Sequence, residues 1–347
     1  MTRDLRKALD QIGNDKDIID PKLMADLSDL NSRELSEFQA AWQGWTPLRK
    51  QELLLTMIEE AMEHIEYNFR VIFNETLRDE DPAVRALSIE GLWEDERPHL
   101  VPLFCKMLME DEAAEVRAAA AGALGRFIYL GEVGALDSTI GSQAFEALWE
   151  RFHRTDETVE VRSQALESIG ASSEPQVNRI IESAFYSDEL EMRVSALKAM
   201  GRNADPRWIP FLVPELRHEE KDLRLAALAS LAELEARPAV PHIIQMMEGE
   251  RNEDVIRAAL KALGLIGGDE ARKALEAAME WEDEAMVDVA EEALDILLAS
   301  DGNTFEYINE VLGLEEEFDG LSPDDDFYED PLEAEIRQLL DDRDGWL

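Results

Sequence analysis

Apolar residues recur along this chain with a helical period, and the same arrangement returns several times. The segments VEVRSQALESIG (159–170) and LEMRVSALKAMG (190–201) each place an Arg directly after an apolar residue, with more apolar residues three, four and seven positions later. On a helix of 3.6 residues per turn these positions form one stripe. The pattern therefore predicts amphipathic helices that each bury one face.

The arrangement is an internal repeat. The Arg recurs at five positions, which are Arg85, Arg117, Arg162, Arg193 and Arg224. Two degenerate copies follow, with Ile256 and Ala290 at the Arg position. A second apolar-periodic segment precedes each copy, so each repeat is a helix pair, and stacked pairs bury what one pair cannot. The sequence therefore predicts an all-α fold, a right-handed α-solenoid of about seven repeats.

Two local features modify this regular array. The Arg positions 117 and 162 lie 45 residues apart, while the other copies are about 31 to 34 apart, which marks an insertion containing FIYLGEVGALDSTIGSQ. We interpret it as an extended trailing helix followed by a longer loop. Gly or Ala stands eight positions after the Arg in several copies, where we expect it to cap the C-terminus of the helix.

The recurring string acid-x-x-V-R-x-x-A-L-x-x-L-G resembles the HEAT repeat, especially the short bacterial form found in phycobilisome-lyase proteins. The resemblance covers roughly residues 79–300. It implies a non-catalytic scaffold that binds a protein or peptide on the concave wall lined by the trailing helices. It also implies an alternative from another class, a bilin-chromophore lyase or isomerase subunit.

We divide the chain into four segments. These are a mobile N-terminal segment (1–30), helical N-terminal capping elements (31–78), the repeat array (79–300) and an acidic tail (301–347). In the capping segment, Thr46 is predicted as an N-cap and Pro47 as the first helical residue. The buried stripe expected to follow comprises Leu53, Leu54, Met57, Ile58, Met62 and Ile65.

The negative charge of the chain limits the classes of partner that it can bind. Seventy-eight acids face 34 bases, for a net charge of −44. Such a surface repels phosphate backbones, so we expect no nucleic-acid binding. A third hypothesis for the function is therefore an acidic protein that sequesters a basic partner.

The acidic tail ends in a predicted short amphipathic helix. Leu332, Ile336 and Leu339 share one face of it. We hypothesise that this helix docks in the concave groove and competes with the partner. The alternatives are that the tail seeks a basic partner itself or is merely a solvated extension.

The repeated Arg has a structural interpretation. It opens each trailing helix, close to acids such as Asp81, Asp156 and Asp188. Because a cation at a helix N-terminus is unfavourable, we expect a carboxylate of the same or the adjacent repeat to pair with it. The five arginines would then form a structural ladder along the array.

The outward positions of the trailing helices are mostly small, and several bases stand among them. These bases are Arg126, Lys198, Arg202, Arg257 and Lys261. We predict a mildly basic stripe on the inner wall that would suit an acidic or amphipathic peptide.

Sequence patterns for catalysis or metal binding are missing. The five histidines are scattered, Cys105 is the single cysteine, and no nucleophile–base arrangement can be inferred. We therefore expect no enzyme activity, no metal and no cofactor. Because no apolar run of about 18 residues occurs, we expect no membrane segment and a cytoplasmic location. We also expect a monomer.

Overall fold

The computed structural model describes residues 4–14 and 18–300, and these form eighteen α-helices and no strand. The helices are α1 (Leu5–Ile12), α2 (Met24–Leu27), α3 (Ser32–Trp42), α4 (Pro47–Glu63), α5 (Arg70–Thr76), α6 (Pro82–Glu90), α7 (Leu100–Glu110), α8 (Ala114–Glu132), α9 (Ser138–Phe152), α10 (Val159–Ile169), α11 (Pro175–Phe185), α12 (Leu190–Arg202), α13 (Ile209–Glu215), α14 (Lys221–Glu233), α15 (Val240–Met247), α16 (Glu253–Ile266), α17 (Asp269–Ala278) and α18 (Glu284–Ser300). None of the described helices is long and apolar enough to span a membrane.

From α5 onward the helices follow one another in seven pairs, each with a leading and a trailing member. The trailing helices from α4 to α16 pack on one another in order, and the leading helices from α5 to α15 each pack on the trailing helix that follows. The predicted α-solenoid is confirmed. In α10 the predicted stripe of Val161, Ala165, Leu166 and Ile169 is fully buried.

The glycines near the ends of the trailing helices only partly match the expected C-caps. Gly170 is the C-cap of α10, with a right-handed φ of −53°, whereas Gly125, Gly201 and Gly264 lie inside α8, α12 and α16. Glycine also permits close approach: a Cβ on Gly170 would lie 2.8 Å from the Cα of Ala199 in the next trailing helix. At Gly170 the backbones of two trailing helices therefore meet directly.

The insertion lengthens two helices and adds little loop. Helix α8 has 19 residues and α9 has 15, and only the short turn 133–137 separates them. The extended trailing helix is present, but the expected longer loop is not. The two extensions cross where Gly131 and Gly141 face each other, with no side chain on either to hold them apart.

The N-terminal segment 1–30, expected to be mobile, instead contains helices in its described part. Helix α1 buries Leu5, Ala8, Leu9 and Ile12, which have the spacing of one helical stripe. The Arg49 guanidinium donates a hydrogen bond to the Ile12 carbonyl oxygen. The sequence-based prediction missed this helix because its apolar stripe is short and charged residues surround it.

The capping helix α4 starts as predicted. Thr46 Oγ1 accepts a hydrogen bond from the Arg49 N–H at 3.3 Å, and Pro47 is the first helical residue. The predicted stripe was too long, however. Met62 is 65% exposed and Ile65, beyond the helix end, is 96% exposed. Residues 301–347, with Leu332, Ile336 and Leu339, lie outside the described residues.

Candidate protein-binding groove

A cleft of about 870 Å³ crosses the trailing helices α4, α6, α8 and α10. Its floor is made of small side chains at the outward positions of α6 and α8. These residues are Ala83, Ala86, Ala118, Ala119, Gly122 and Ala123. Because such residues project little beyond the backbone, a hollow remains between the larger side chains on either side.

The walls of the groove are largely apolar. Ile58 and Met62 of α4 line the groove, and so does Trp93, which lies in the turn after α6. Trp93 is 46% exposed, which is unusual for so large an apolar ring. Exposed apolar surface of this kind, enclosed by polar residues, is typical of a protein-interaction site. Met62 thus contributes to the groove and not to the core.

One arginine of the predicted stripe reaches this groove. The Arg126 guanidinium lies over the Trp93 ring, 5.8 Å from its centroid, and it forms no ion pair with any described residue. Desolvation lowers the pKa of Arg126, although acids of the turn after α6 oppose this. Glu90 lies in the same groove, and desolvation raises the pKa of its carboxyl.

The remaining predicted bases do not join Arg126. Lys198 Nζ and Arg202 Nη2 lie 3.3 Å and 2.5 Å from the Glu167 carboxylate, whose side chain is only 8% exposed. Packing of α10 on α12 brings this acid beside both bases. Both cations therefore share one carboxylate, which offsets one of their two positive charges. Arg257 and Lys261 stand on α16, outside the groove lining. Of the five predicted bases, Arg126 is therefore the one that lines this groove.

An acidic row runs along one edge of the groove and continues past it. Glu115, Glu160 and Glu191 occupy the same position, two residues before the repeated Arg, in α8, α10 and α12. None of them forms an ion pair with a described residue, and Glu115 and Glu160 line the groove. Burial raises the pKa of Glu191, and the charges of Glu160 and Glu189 raise it further. The sequence signal for this row was an acid at one offset in successive copies.

The repeated arginines connect neighbouring repeats. Arg85 makes two hydrogen bonds to the Asp111 carboxylate, at 2.9 and 2.8 Å, and also donates to the Asp79 carbonyl at 2.8 Å. Arg117 repeats this geometry with the Glu157 carboxylate, at 2.9 and 2.6 Å, and the Asp111 carbonyl. Each arginine thus binds the loop before its own helix and the corresponding loop of the next repeat.

Other rungs of the ladder vary. Arg224 lies 2.8 Å from the Glu250 carboxylate, and Arg193 lies 3.4 Å from that of Glu215. Arg162 differs from the expectation: it donates to the Phe152 carbonyl oxygen at 3.2 Å and has no carboxylate partner among the described residues.

The acids that pair with the ladder are mostly not those expected. Asp81 caps α6 by accepting from the Val84 N–H at 3.1 Å, and Asp156 pairs with Arg154. The sequence-based prediction also missed one rung of the ladder. Lys50 of α4 occupies the position of the repeated Arg, and its ammonium lies 2.8 Å from the Asp79 carboxylate.

Metal-ligating side chains do not cluster in the part of the chain that the structure describes. No group of three or more His, Cys, Asp or Glu side chains there could hold a metal ion. Burial raises the pKa of the Cys105 thiol to about 11, so it is almost entirely protonated at neutral pH and a weak nucleophile.

A family model described as HEAT repeats matches residues 70–153 and 209–295 of the chain. This match does not confirm the phycobilisome-lyase type. No curated protein sequence matches the chain.

Several solved structures are similar at low identity. Human deoxyhypusine hydroxylase in complex with glycerol is 17% identical (TM-score 0.35), covering 84% of this chain and 96% of that one. A designed armadillo repeat protein is 19% identical (TM-score 0.34), covering 57% and 99%. Kap95p, from a structure with RanGDP, is 11% identical (TM-score 0.42), covering 92% and 49%. None of these likenesses transfers an activity or a partner to this chain.

Proposed function

Because the chain is a HEAT-repeat protein, we propose that it is a non-catalytic scaffold which binds a protein partner in the groove across α4, α6, α8 and α10. The observation that carries this proposal is the groove itself, where an exposed Trp93 and Met62 flank a floor of alanine and glycine. Aromatic and Met side chains are the residues enriched in protein interfaces.

The ladder supports the scaffold role by fixing the helices that form the groove. The rungs of Lys50, Arg85 and Arg117 join the successive repeats that contribute α4, α6, α8 and α10. A groove built on helices held in this way loses little conformational entropy on binding, which favours affinity.

The test is quantitative affinity capture with the parent chain and with the double variant Trp93→Ala, Gly122→Leu. Gly122 fits this purpose because it belongs to the floor and a Cβ there meets only side-chain atoms of Gln164, the nearest at 3.4 Å, so a Leu side chain would extend into the groove. The matched control is Trp281→Ala, an exposed Trp outside the groove lining.

We expect the groove variant to lose a specific partner that the parent and the control variant both retain. Equal capture by all three proteins would contradict the proposal. Circular dichroism of each protein checks that the helical fold is unchanged.

A further inference from the structure

The floor of the groove offers a buried polypeptide no side-chain hydrogen-bonding partners, because it is alanine and glycine. Apart from the charged residues, the polar side chains of the lining are the Gln164 amide and the Trp93 indole. A partner in extended conformation would bury backbone N–H and C=O groups without partners, each at a cost of about 1–3 kcal/mol. A helix satisfies these groups internally. The lining therefore favours a helical partner.

The charges of the groove are unequal. Glu90, Glu115 and Glu160 line it, against Arg126 alone. The acidic row Glu115, Glu160 and Glu191 has no basic partner among the described residues. Burial raises the pKa of Glu191, and repulsion from Glu160 of the row and from Glu189 raises it further. A ligand that carries positive charge along this edge would relieve that repulsion.

On the premise that the groove is the binding site, we infer that its occupant is an amphipathic helix of a partner protein, with an apolar face on the alanine floor and Lys or Arg residues along the acidic row. The apolar face would contact Met62 and Trp93, in the helix-in-groove mode of recognition. Of the sequence-based expectation of an acidic or amphipathic peptide, this keeps the amphipathic alternative, because Arg126 is the one base in the groove lining and Lys198 and Arg202 are paired with Glu167 outside it.

The experiment uses three fluorescein-labelled synthetic peptides and the full-length chain at 150 mM NaCl, with fluorescence anisotropy as the readout. The first peptide is an 18-residue helix with Leu on one face and Lys on its flanks. The second has the same composition in scrambled order, without an apolar face. The third keeps the Leu face and replaces each Lys by Glu. We expect the first to bind at least about tenfold more tightly than either of the others.

Two triple variants locate the charge effect. The variant Glu115→Gln, Glu160→Gln, Glu191→Gln removes the acidic row. The matched control Glu146→Gln, Glu182→Gln, Glu276→Gln removes three exposed acids from the leading helices α9, α11 and α17. Both change the net charge equally. We expect the first variant to weaken binding of the Lys peptide at least about fivefold and to reduce its salt dependence, and the control to change it less than about twofold.

The outcomes distinguish an error in the predicted chemistry of the partner from an error in the predicted binding site. The inference is overturned if the scrambled Lys peptide or the Glu peptide binds as tightly as the first, or if the control triple variant weakens binding as much as the row variant. If all amphipathic peptides bind equally and Gly122→Leu abolishes them, the groove is the site but its partner is not basic. If Gly122→Leu has no effect on any peptide, the proposed function fails as well. A dimer in sedimentation velocity that Gly122→Leu dissociates would identify a second copy of this chain as the occupant and overturn the inference.

Discussion

At the scale of single residues, Glu157 shows how the ladder is stabilised. Arg117 and Arg151 both bind its carboxylate, which is 2% exposed, and Arg151 also donates to the carbonyls of Leu108 and Met109, at 2.7 and 2.6 Å. These carbonyls belong to the last turn of α7, where a cation is favourable. The pair thus connects three successive helices.

Removal of Arg117 should therefore be costly. We expect Arg117→Ala to lower the free energy of unfolding by about 2–4 kcal/mol, because the buried Glu157 carboxylate loses its bidentate partner. The matched control is Arg162→Ala, an equal truncation at the same repeat position. It loses one carbonyl hydrogen bond and the contact of the guanidinium with the Phe152 ring, and it should cost about 1 kcal/mol. Urea titrations measure both, and equal losses would contradict the structural difference between the two rungs.

The Glu157 carboxyl should also give a defined pH dependence. Burial alone would raise its pKa, but hydrogen bonds from Arg117 and the Thr158 N–H, with the charges of both arginines, lower the pKa below its ordinary 4.5. A lowered pKa in the folded state stabilises the fold above the unfolded-state pKa, and this contribution is lost as the pH falls toward the folded-state value.

We therefore expect Glu157→Gln to be less stable than the parent at pH 7, with a difference that shrinks steadily below about pH 4.5. Urea midpoints of both proteins between pH 7 and pH 3 provide the measurement. A difference that stays constant over this range would mean that the pKa of Glu157 is the same in the folded and the unfolded protein.

At the scale of elements, neighbouring trailing helices approach through glycine. A Cβ at Gly170 would lie 2.8 Å from the Cα and from the carbonyl oxygen of Ala199, and both are backbone atoms that have no freedom to turn aside. At Gly122, by contrast, the nearest atom is a side-chain nitrogen of Gln164 at 3.4 Å, an ordinary contact.

The same substitution should thus have opposite effects at these two glycines. We expect Gly170→Ala to destabilise the protein by about 1–3 kcal/mol, since α10 and α12 must move apart. Gly122→Ala should stabilise it by up to about 1 kcal/mol, because alanine has the higher helix propensity. Thermal unfolding of both variants tests this, and a stabilising Gly170→Ala would refute the close approach.

At the scale of the whole molecule, charge repulsion opposes folding. The chain has a net charge of −44, while its strongest ion pairs, such as Arg117 with Glu157, are largely shielded from solvent. Salt screens exposed charges more effectively than buried pairs.

We accordingly expect added NaCl to stabilise the fold. Between 20 mM and 500 mM NaCl the Debye length falls several-fold, and the free energy of unfolding should rise by about 1–2 kcal/mol. Urea titrations at several NaCl concentrations provide the measurement. A decrease in stability over this range would mean that exposed ion pairs contribute more than general repulsion.

The sequence by itself determined the repeating helix pair. The stripe around Arg162 predicted which residues of α10 are buried, because burial of one helical face follows directly from a 3.6-residue period. Thr46 and Pro47 likewise marked the start of α4, since a capping hydroxyl and a first-turn proline act locally. The α1 stripe was readable too, but it is short and lies among charges.

The tertiary structure alone decided which residues meet between repeats. Lys198 and Arg202 are bases at outward positions, yet both pair with Glu167 of the preceding trailing helix. The partner of each ladder arginine and the role of Gly170 also depend on the neighbouring helix. Sequence periodicity specifies the faces of one helix, whereas the distance and axial offset between two helices depend on how the side chains of both pack together.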